Sequence, residues 1–276
     1  MRYIVVLFLV LFASCSSDDN DNFIDNPCKL TKVRAGALYY EYVEVENFIS
    51  FSTEFNEINF EYDSNGRINK VTGGPIPTAS GSSLSSWIFV NTPIYNITYL
   101  NNTVTLDSNI ESIDGDNVNE YVIENEKVIS RSVVSKYNFF INLLTNYDYE
   151  YFDNYIEEYR NDELFRTLYF ENENLVKIEE LKYFNFENPS EDPNTLIGKT
   201  EYIFSEFDNT TNLLKGLFYI DGAFYKAFSQ NNFQKITQNN YNYIDGEFII
   251  DSGGYRSFNF GVNEDGSNGM FTQICD

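Results

Sequence analysis

The chain has 276 residues, 18 Lys and Arg against 42 Asp and Glu, a formal net charge of −24 and no histidine. A Ser–His–Asp triad, a Cys–His dyad and a His-ligated metal are therefore excluded, and so strongly acidic a surface argues against nucleic acid as a partner. With 42% hydrophobic residues, 25 Phe, 22 Tyr and one Trp, the composition is too apolar for a disordered chain, and no residue pattern calls for a cofactor.

The N-terminus comes first. After Met1-Arg2, Ile4 to Phe12 is an unbroken apolar run, too short to cross a bilayer and of the length of a signal-peptide core. Ala13-Ser14-Cys15 then sets two small residues before a cysteine. This resembles the bacterial lipoprotein signal, which implies cleavage after Ser14 and acylation of Cys15. Loss of residues 1–14 removes only Arg2, so 17 basic residues face 42 acidic ones, or −25. Two or three acyl chains anchor firmly where one is marginal, so the expected membrane contact is through the acyl chains alone. Ser16 to Pro27 carries four Asp and no basic residue; it reads as a solvated tether, about 40 Å long at full stretch. Its acidic start resembles the export signal of Bacteroidetes surface lipoproteins. The implied location is the outer membrane, facing the cell surface, with the periplasmic face as the alternative.

From residue 28 onward the apolar period is two, and residues 28–276 read as a single all-β domain. Ile58-Asn59-Phe60-Glu61-Tyr62 alternates, Asp63-Ser64-Asn65-Gly66 turns, and Arg67-Ile68-Asn69-Lys70-Val71 runs back. Related units stand at Tyr99–Thr105, Ile123–Ser130, Phe170–Lys177 and Phe228–Ile236. Asp-Gly pairs at Asp221-Gly222 and Asp245-Gly246 predict two more hairpins. Gly73–Ser86, with two prolines, and Asn185–Lys199 read as loops; one or two helical turns are expected near Asn212–Lys215, ended by Gly216.

The segment Phe60–Val71 resembles the Tyr-Asp (YD, Rhs-type) repeat, whose signature is aromatic-x-Tyr-Asp-x-x-Gly-Arg-aliphatic. With the lipoprotein start, the chain resembles uncharacterised Bacteroidetes lipoproteins carrying such repeats. That resemblance implies a curved, porin-like sheet and brings no catalytic residue. An Rhs-like shell around a cargo would need a longer chain.

The expected fold is therefore all-β, an antiparallel meander of β-hairpins forming a strongly curved sheet or half-open barrel; a two-sheet sandwich is the runner-up. Tyr and Phe should line one face and polar residues the other, as in Tyr147-Asp148-Tyr149-Glu150-Tyr151. Such a face is either core or a platform for a glycan or protein ligand, with Trp87 as a candidate lip. Asp114-Gly115-Asp116 and Asn263-Glu264-Asp265-Gly266 have a calcium-like look but lack the spaced ligand set of an EF-hand, so no metal is assigned. With Cys15 acylated, Cys28 and Cys275 remain as an even pair, which in an envelope protein points to a disulfide. The function expected is a non-enzymatic, surface-displayed binding or scaffold lipoprotein. The alternative is a glycan-active hydrolase using paired carboxylates, which 42 acids make possible without singling out a pair.

Overall fold

The computed structural model describes residues 28–35, 56–80, 83–109, 118–134, 144–183, 195–220, 222–257 and 270–275. They form one antiparallel sheet of 15 strands. In chain order these are β1 (Cys28–Arg34), β2 (Glu57–Tyr62), β3 (Ile68–Ser80), β4 (Ser83–Leu100) and β5 (Thr103–Ser108). Then come β6 (Val118–Glu124), β7 (Lys127–Val134), β8 (Leu144–Tyr151), β9 (Tyr155–Arg160) and β10 (Glu163–Glu171). The last are β11 (Asn174–Tyr183), β12 (Leu196–Ser205), β13 (Lys235–Ile244), β14 (Glu247–Ser257) and β15 (Phe271–Cys275). Every strand from β1 to β14 pairs with its neighbour in sequence, and β15 pairs back onto β1. This is the expected meander, and it is one curved sheet rather than a sandwich. Chain length alone demands the curvature. Fourteen steps join Ser257 to Phe271, a reach of about 50 Å, whereas fourteen strand spacings would hold the edges of a flat sheet ~67 Å apart.

The turns explain the tight meander. Asn125 and Glu126 have φ of 49° and 63°, Asn161 and Asp162 50° and 69°, Asn172 and Glu173 49° and 62°, and Asp245 and Gly246 52° and 89°. Positive φ at both central residues is what a two-residue hairpin needs to match strand twist. The Asn161-Asp162 reversal is a further hairpin turn that the sequence analysis does not single out. At the YD-like segment, Asp63 Oδ1 accepts from the backbone N–H of Asn65 and of Arg67, both at 2.9 Å. Its Oδ2 accepts from Arg67 Nε and Nη2 at 3.1 and 3.0 Å. Gly66 supplies the positive φ, 78°, and Arg67 lies 4.4 Å from the Tyr99 ring. The Asp, Gly and Arg thus build one turn and fasten it to the next strand.

Two predicted loops are strands. Residues 73–80 and 83–86 extend the β3–β4 hairpin, with Pro75 opposite Phe89 and Pro77 opposite Trp87. The β2–β3 pairing stops at Thr72, so two prolines spaced two apart can turn their missing donors to a side where, among the described residues, no strand pairs with them. Likewise β12 begins at Leu196, inside the predicted Asn185–Lys199 loop.

Two predicted hairpins are not hairpins. Gly222 does take a positive φ of 76°, but it lies in a compact non-strand insert, residues 206–234, between β12 and β13. Phe228–Ile236 instead follows on a 3-10 turn at Lys226–Phe228 and makes, among the described residues, one bridge from Asn231 to Thr211 before β13 begins. The helical turn near Asn212–Lys215 is present only as a tight turn, Lys215 N–H to Asn212 O at 3.1 Å, with Gly216 at φ 77°. Apolar density explains the departure. Leu214, Phe218, Tyr219, Ile220, Ala223, Phe224, Tyr225 and Ala227 are all buried, so both sides of this stretch need cover, which a two-faced hairpin lying over a sheet could not give.

The insert packs across the inner face. Tyr219 meets Tyr99 of β4 edge-on, with ring centroids 5.9 Å apart, Phe224 meets Tyr149 of β8 at 5.7 Å, and Phe228 meets Phe170 of β10 at 6.0 Å. Ser229 Oγ accepts the Leu175 N–H of β11 at 3.1 Å. Phe271 of β15 and Asn212 and Phe233 of the insert line one cavity of about 10 Å³, room for roughly one water. Inward residues such as Ile58, Phe60, Val104, Leu106, Leu168 and Ile178 are buried beneath it.

Glu126 is exposed at its left-handed position. That conformation costs a non-glycine residue about 1–2 kcal/mol, and glycine returns about 0.5–1 kcal/mol of it through unfolded-chain entropy. Glu126→Gly is therefore expected to stabilise the chain by about 0.5–1 kcal/mol, read as a higher denaturant midpoint at unchanged slope.

Candidate functional site

Five successive strands each send one polar side chain into the interior. Arg131 comes from β7, Tyr149 from β8, Glu158 from β9, Arg166 from β10 and Glu180 from β11. In β9 the alternation places Ile156 and Glu158 inward and Glu157 outward. Glu158 is fully buried, at 0% exposure. Its Oε1 accepts from Arg131 Nη2 at 2.9 Å and from Tyr149 Oη at 2.7 Å. Its Oε2 accepts from Tyr225 Oη, on the insert, at 2.7 Å. Arg166 Nη1 donates to the same Tyr225 hydroxyl and lies 4.0 Å from Glu158 Oε2, and Arg166 Nε donates to Glu180 Oε2 at 2.8 Å.

Aromatic rings complete the enclosure. The Arg131 guanidinium carbon lies 3.7 Å from the Phe224 ring centroid and 4.3 Å from that of Tyr147. Rings over a desolvated guanidinium supply part of what water has lost to it. Arg131 Nε is buried without a hydrogen-bond partner. Burial pushes the Tyr149 and Tyr225 hydroxyls well above the ordinary tyrosine range, so both stay protonated donors. Burial pulls the Arg131 guanidinium down, but the oxygens of Tyr149, Glu158 and Tyr225 outweigh it and hold the group well above its usual value. Two guanidinium groups and two carboxylates balance, and both oxygens of Glu158 are occupied. Chemically this is a lock that fixes Tyr225, and with it the insert, to the sheet.

The outer face carries a second constellation. Glu150, Glu157, Thr167, Glu179, Glu201 and Asn239 follow one another across β8 to β13 as directly paired residues. Lys177 and Lys199 relieve this row of acids. Glu179 Oε1 takes Lys177 Nζ at 3.1 Å and Lys199 Nζ at 3.2 Å, and Lys199 also meets Glu201 Oε1 at 2.6 Å. Tyr169 and Tyr241 donate to Glu179 and Glu201 at 2.8 and 2.7 Å. Beside them Phe152 and Tyr155 stack at 4.4 Å and 10°. Burial raises the Glu179 pKa, but the hydrogen bonds from Tyr169, Lys177 and Lys199 overcome it and draw the group down to about 2.

The residues singled out from sequence do not gather at either constellation. Cys15, Asp114–Asp116 and Asn263–Gly266 lie outside the described residues. Trp87 stands in β4 opposite Pro77. Cys28 and Cys275 are direct partners in the β1–β15 register. The alternation of Tyr147, Tyr149 and Tyr151 inward with Asp148 and Glu150 outward holds, but the aromatic concave face meets the insert and is not an open platform. No group of three metal-ligating side chains occurs among the described residues. Sequence reading missed Arg131, Glu158, Arg166 and Glu180. Charged residues at inward positions of alternating strands were the available signal, blurred because an extra residue at Ile129 and another at Phe165 shift the alternation in β7 and β10.

No family model matches the chain and no curated protein is similar to it. Among solved structures, a porin-like protein from Bacteroides uniformis ATCC 8492 is similar at 9% identity and a TM-score of 0.36, over 72% of this chain and 88% of that one.

Glu158→Gln strands two guanidinium groups against one carboxylate, a loss expected to cost about 3–5 kcal/mol in chemical denaturation. Tyr225→Phe should cost about 1–3 kcal/mol, and the double variant less than the sum, because both act through one carboxylate. For Glu179 the folded pKa lies below the ordinary 4.5. Its contribution is complete above that value and is lost as pH falls toward about 2. The stability gap between wild type and Glu179→Gln should therefore close over that interval in an acid titration.

Proposed function

We propose that this chain is a non-enzymatic lipoprotein of the cell envelope, held by acyl chains on Cys15 and presenting the outer face of its sheet as a binding or scaffold surface. One observation carries the reading: the chain's own insert covers the concave face and seats Tyr225 on Glu158, which leaves the outer face to meet partners. Strand insertion into lipid does not fit that outer face, where Glu120, Asp148, Glu150, Lys177 and Lys199 stand in place of an apolar band. Acyl anchoring meets the same need. The hydrolase reading would require a carboxyl pair flanking a sugar ring in a cleft; Glu158 is enclosed with both oxygens engaged, and the paired acids of the outer row, Glu150 with Glu157 and Glu179 with Glu201, stand along the face of the sheet. Glycans or extended peptides are the ligands that suit a rigid surface of Tyr, Lys and Glu.

An envelope location also suits the two remaining cysteines. Directly opposed antiparallel residues hold their Cα atoms about 4.5–5.5 Å apart, within disulfide reach. Cys28 and Cys275 occupy such positions, and a bond between them fastens the strand that follows the tether to the C-terminal strand. Pairing releases two protons and passes two electrons to a dithiol–disulfide oxidant outside the cytoplasm.

Metabolic labelling with an alkyne fatty acid tests the anchor. Wild type should take the label and sediment with membranes; Cys15→Ser should lose the label and become soluble. In the same wild-type fractions two thiols should resist alkylation until reductant is added. The soluble Cys15→Ser chain is then applied to glycan and peptide arrays. An unlabelled wild type would overturn the lipoprotein reading, and release of sugar from an arrayed glycan would favour the hydrolase.

A further inference from the structure

The β14 edge of the sheet departs from the rest of the surface. Among the described residues, β14 has no strand beyond it. Of the twelve large apolar side chains exposed among the described residues, six lie between Tyr243 and Tyr255. Ile250 is 62% exposed and Tyr255 70%. Residues 235–257 carry Lys235 and Arg256 against Asp245, Glu247 and Asp251, a net −1 on a chain of −24. Open edges are ordinarily blunted by charge or proline, and a long apolar edge marks an interaction site.

The sequence of β14 states what fits it. A bulge at Asp251 shifts the alternation, because Tyr241 pairs with Ile250 and Asn240 with Ser252. Phe248, Ile250, Gly253 and Tyr255 therefore pair with Tyr243, Tyr241, Asn239 and Thr237, which share the outer face, while Glu247, Ile249 and Gly254 take the inner one and Arg256 stands at the register position of Ile236. When β14 is run antiparallel to a second β14, Glu247 falls opposite Arg256, Phe248 opposite Tyr255, Ile249 opposite Gly254 and Ile250 opposite Gly253. The bulge brings residues of like register together in every pair. Acid meets base, aromatic meets aromatic, and each isoleucine meets a glycine. The two-fold symmetry of a dimer requires this kind of self-complementarity.

Gly254 adds an independent sign. Its φ is not in the left-handed region, and a Cβ there would meet nothing within 4 Å. Its own chain does not need glycine at that place, whereas Gly253 is explained by Asn239 Oδ1, 2.8 Å from its would-be Cβ. A glycine in a strand without an internal reason marks the approach of another chain, here the isoleucine at 249 of the second copy.

We infer that β14 is a homodimerisation edge, and that the partner it accepts is the β14 strand of a second copy, joined antiparallel about an axis between Asp251 and Ser252. Two tethered chains on one membrane would meet there with their outer faces continuous across the seam.

Sedimentation equilibrium of the full chain in detergent tests this, with circular dichroism melts to show that each variant folds. Wild type should dimerise reversibly with concentration. Glu247→Arg and Arg256→Glu should each weaken the dimer about tenfold, since each creates two like-charge pairs, and the double swap should restore it. Gly254→Val should weaken the dimer by about tenfold or more through steric exclusion while leaving the melting temperature unchanged or raised. A chain that stays monomeric at all concentrations would assign the edge to a strand of some other protein and overturn the proposal. A dimer indifferent to these changes, or a double swap that does not recover, would also overturn it.

Discussion

Everything in this molecule depends on covering the inner face of one curved sheet. Hairpins alone cannot do so, because each buries one side only against whatever lies beneath it. A sandwich would supply a second sheet, and a narrow closed barrel would fill its centre with its own side chains. This chain instead spends the link between β12 and β13 as filler. Phe218, Tyr219, Ile220, Phe224 and Tyr225 enter the hollow together, each burial contributing about 1.5–3 kcal/mol. The insert reaches β4 at Tyr99 and the cavity beside Phe271 of β15, so strands remote in sequence are held at one radius.

Apolar filling by itself would let such an insert slide or repack. The lock of Arg131, Glu158, Arg166 and Glu180 opposes that. A buried carboxylate tolerates only geometries in which its oxygens are engaged, and Glu158 is satisfied only when Tyr225 stands over it. Tyr219 repeats the device more weakly, its hydroxyl 3.0 Å from that of Tyr99, while Asn212 Nδ2 ties the insert's own ends by donating to Lys226 O at 2.8 Å and Ser229 O at 3.0 Å. The apolar side chains supply the energy of docking and the polar ones its register.

Much of the sheet was legible because period-two alternation and positive-φ turns are local properties. Ile58–Val71 announces its hairpin through Asp63, Gly66 and Arg67, and the turn at Asp245-Gly246 through its glycine. Asn161-Asp162 turns just as sharply without one. The Asp-Gly at 221–222 misled for the same local reason: the pair specifies a reversal but not what the reversal joins, and tertiary burial of Phe218 to Ala227 decided against strands. Pro75 and Pro77 misled in the other direction. Proline bars a strand only where its missing donor faces a neighbour, and which side is open depends on where β2 ends. The interior lock was illegible because charge pairing among strands up to 49 residues apart, from Arg131 to Glu180, leaves no trace in spacing when the chain holds 42 acids.

The two edges of the sheet show how differently one problem can be met. β15 is five residues long, so any strand approaching that side meets a short template. β14 offers eleven residues, low net charge and exposed isoleucines. Random association would be the usual cost of such a strand, yet its residues pair sensibly only with their own reverse, and charge at Glu247 and Arg256 penalises a slipped register by bringing like or unpaired groups together. An edge that is sticky toward one arrangement and poor at others needs no shield of lysines. Acids are spread along the outer row from Glu150 to Glu201, so like charge opposes the face-on approach of a second copy there, while at the β14 edge Arg256 offsets part of the charge of Glu247 and Asp251 and leaves the apolar side chains to make contact.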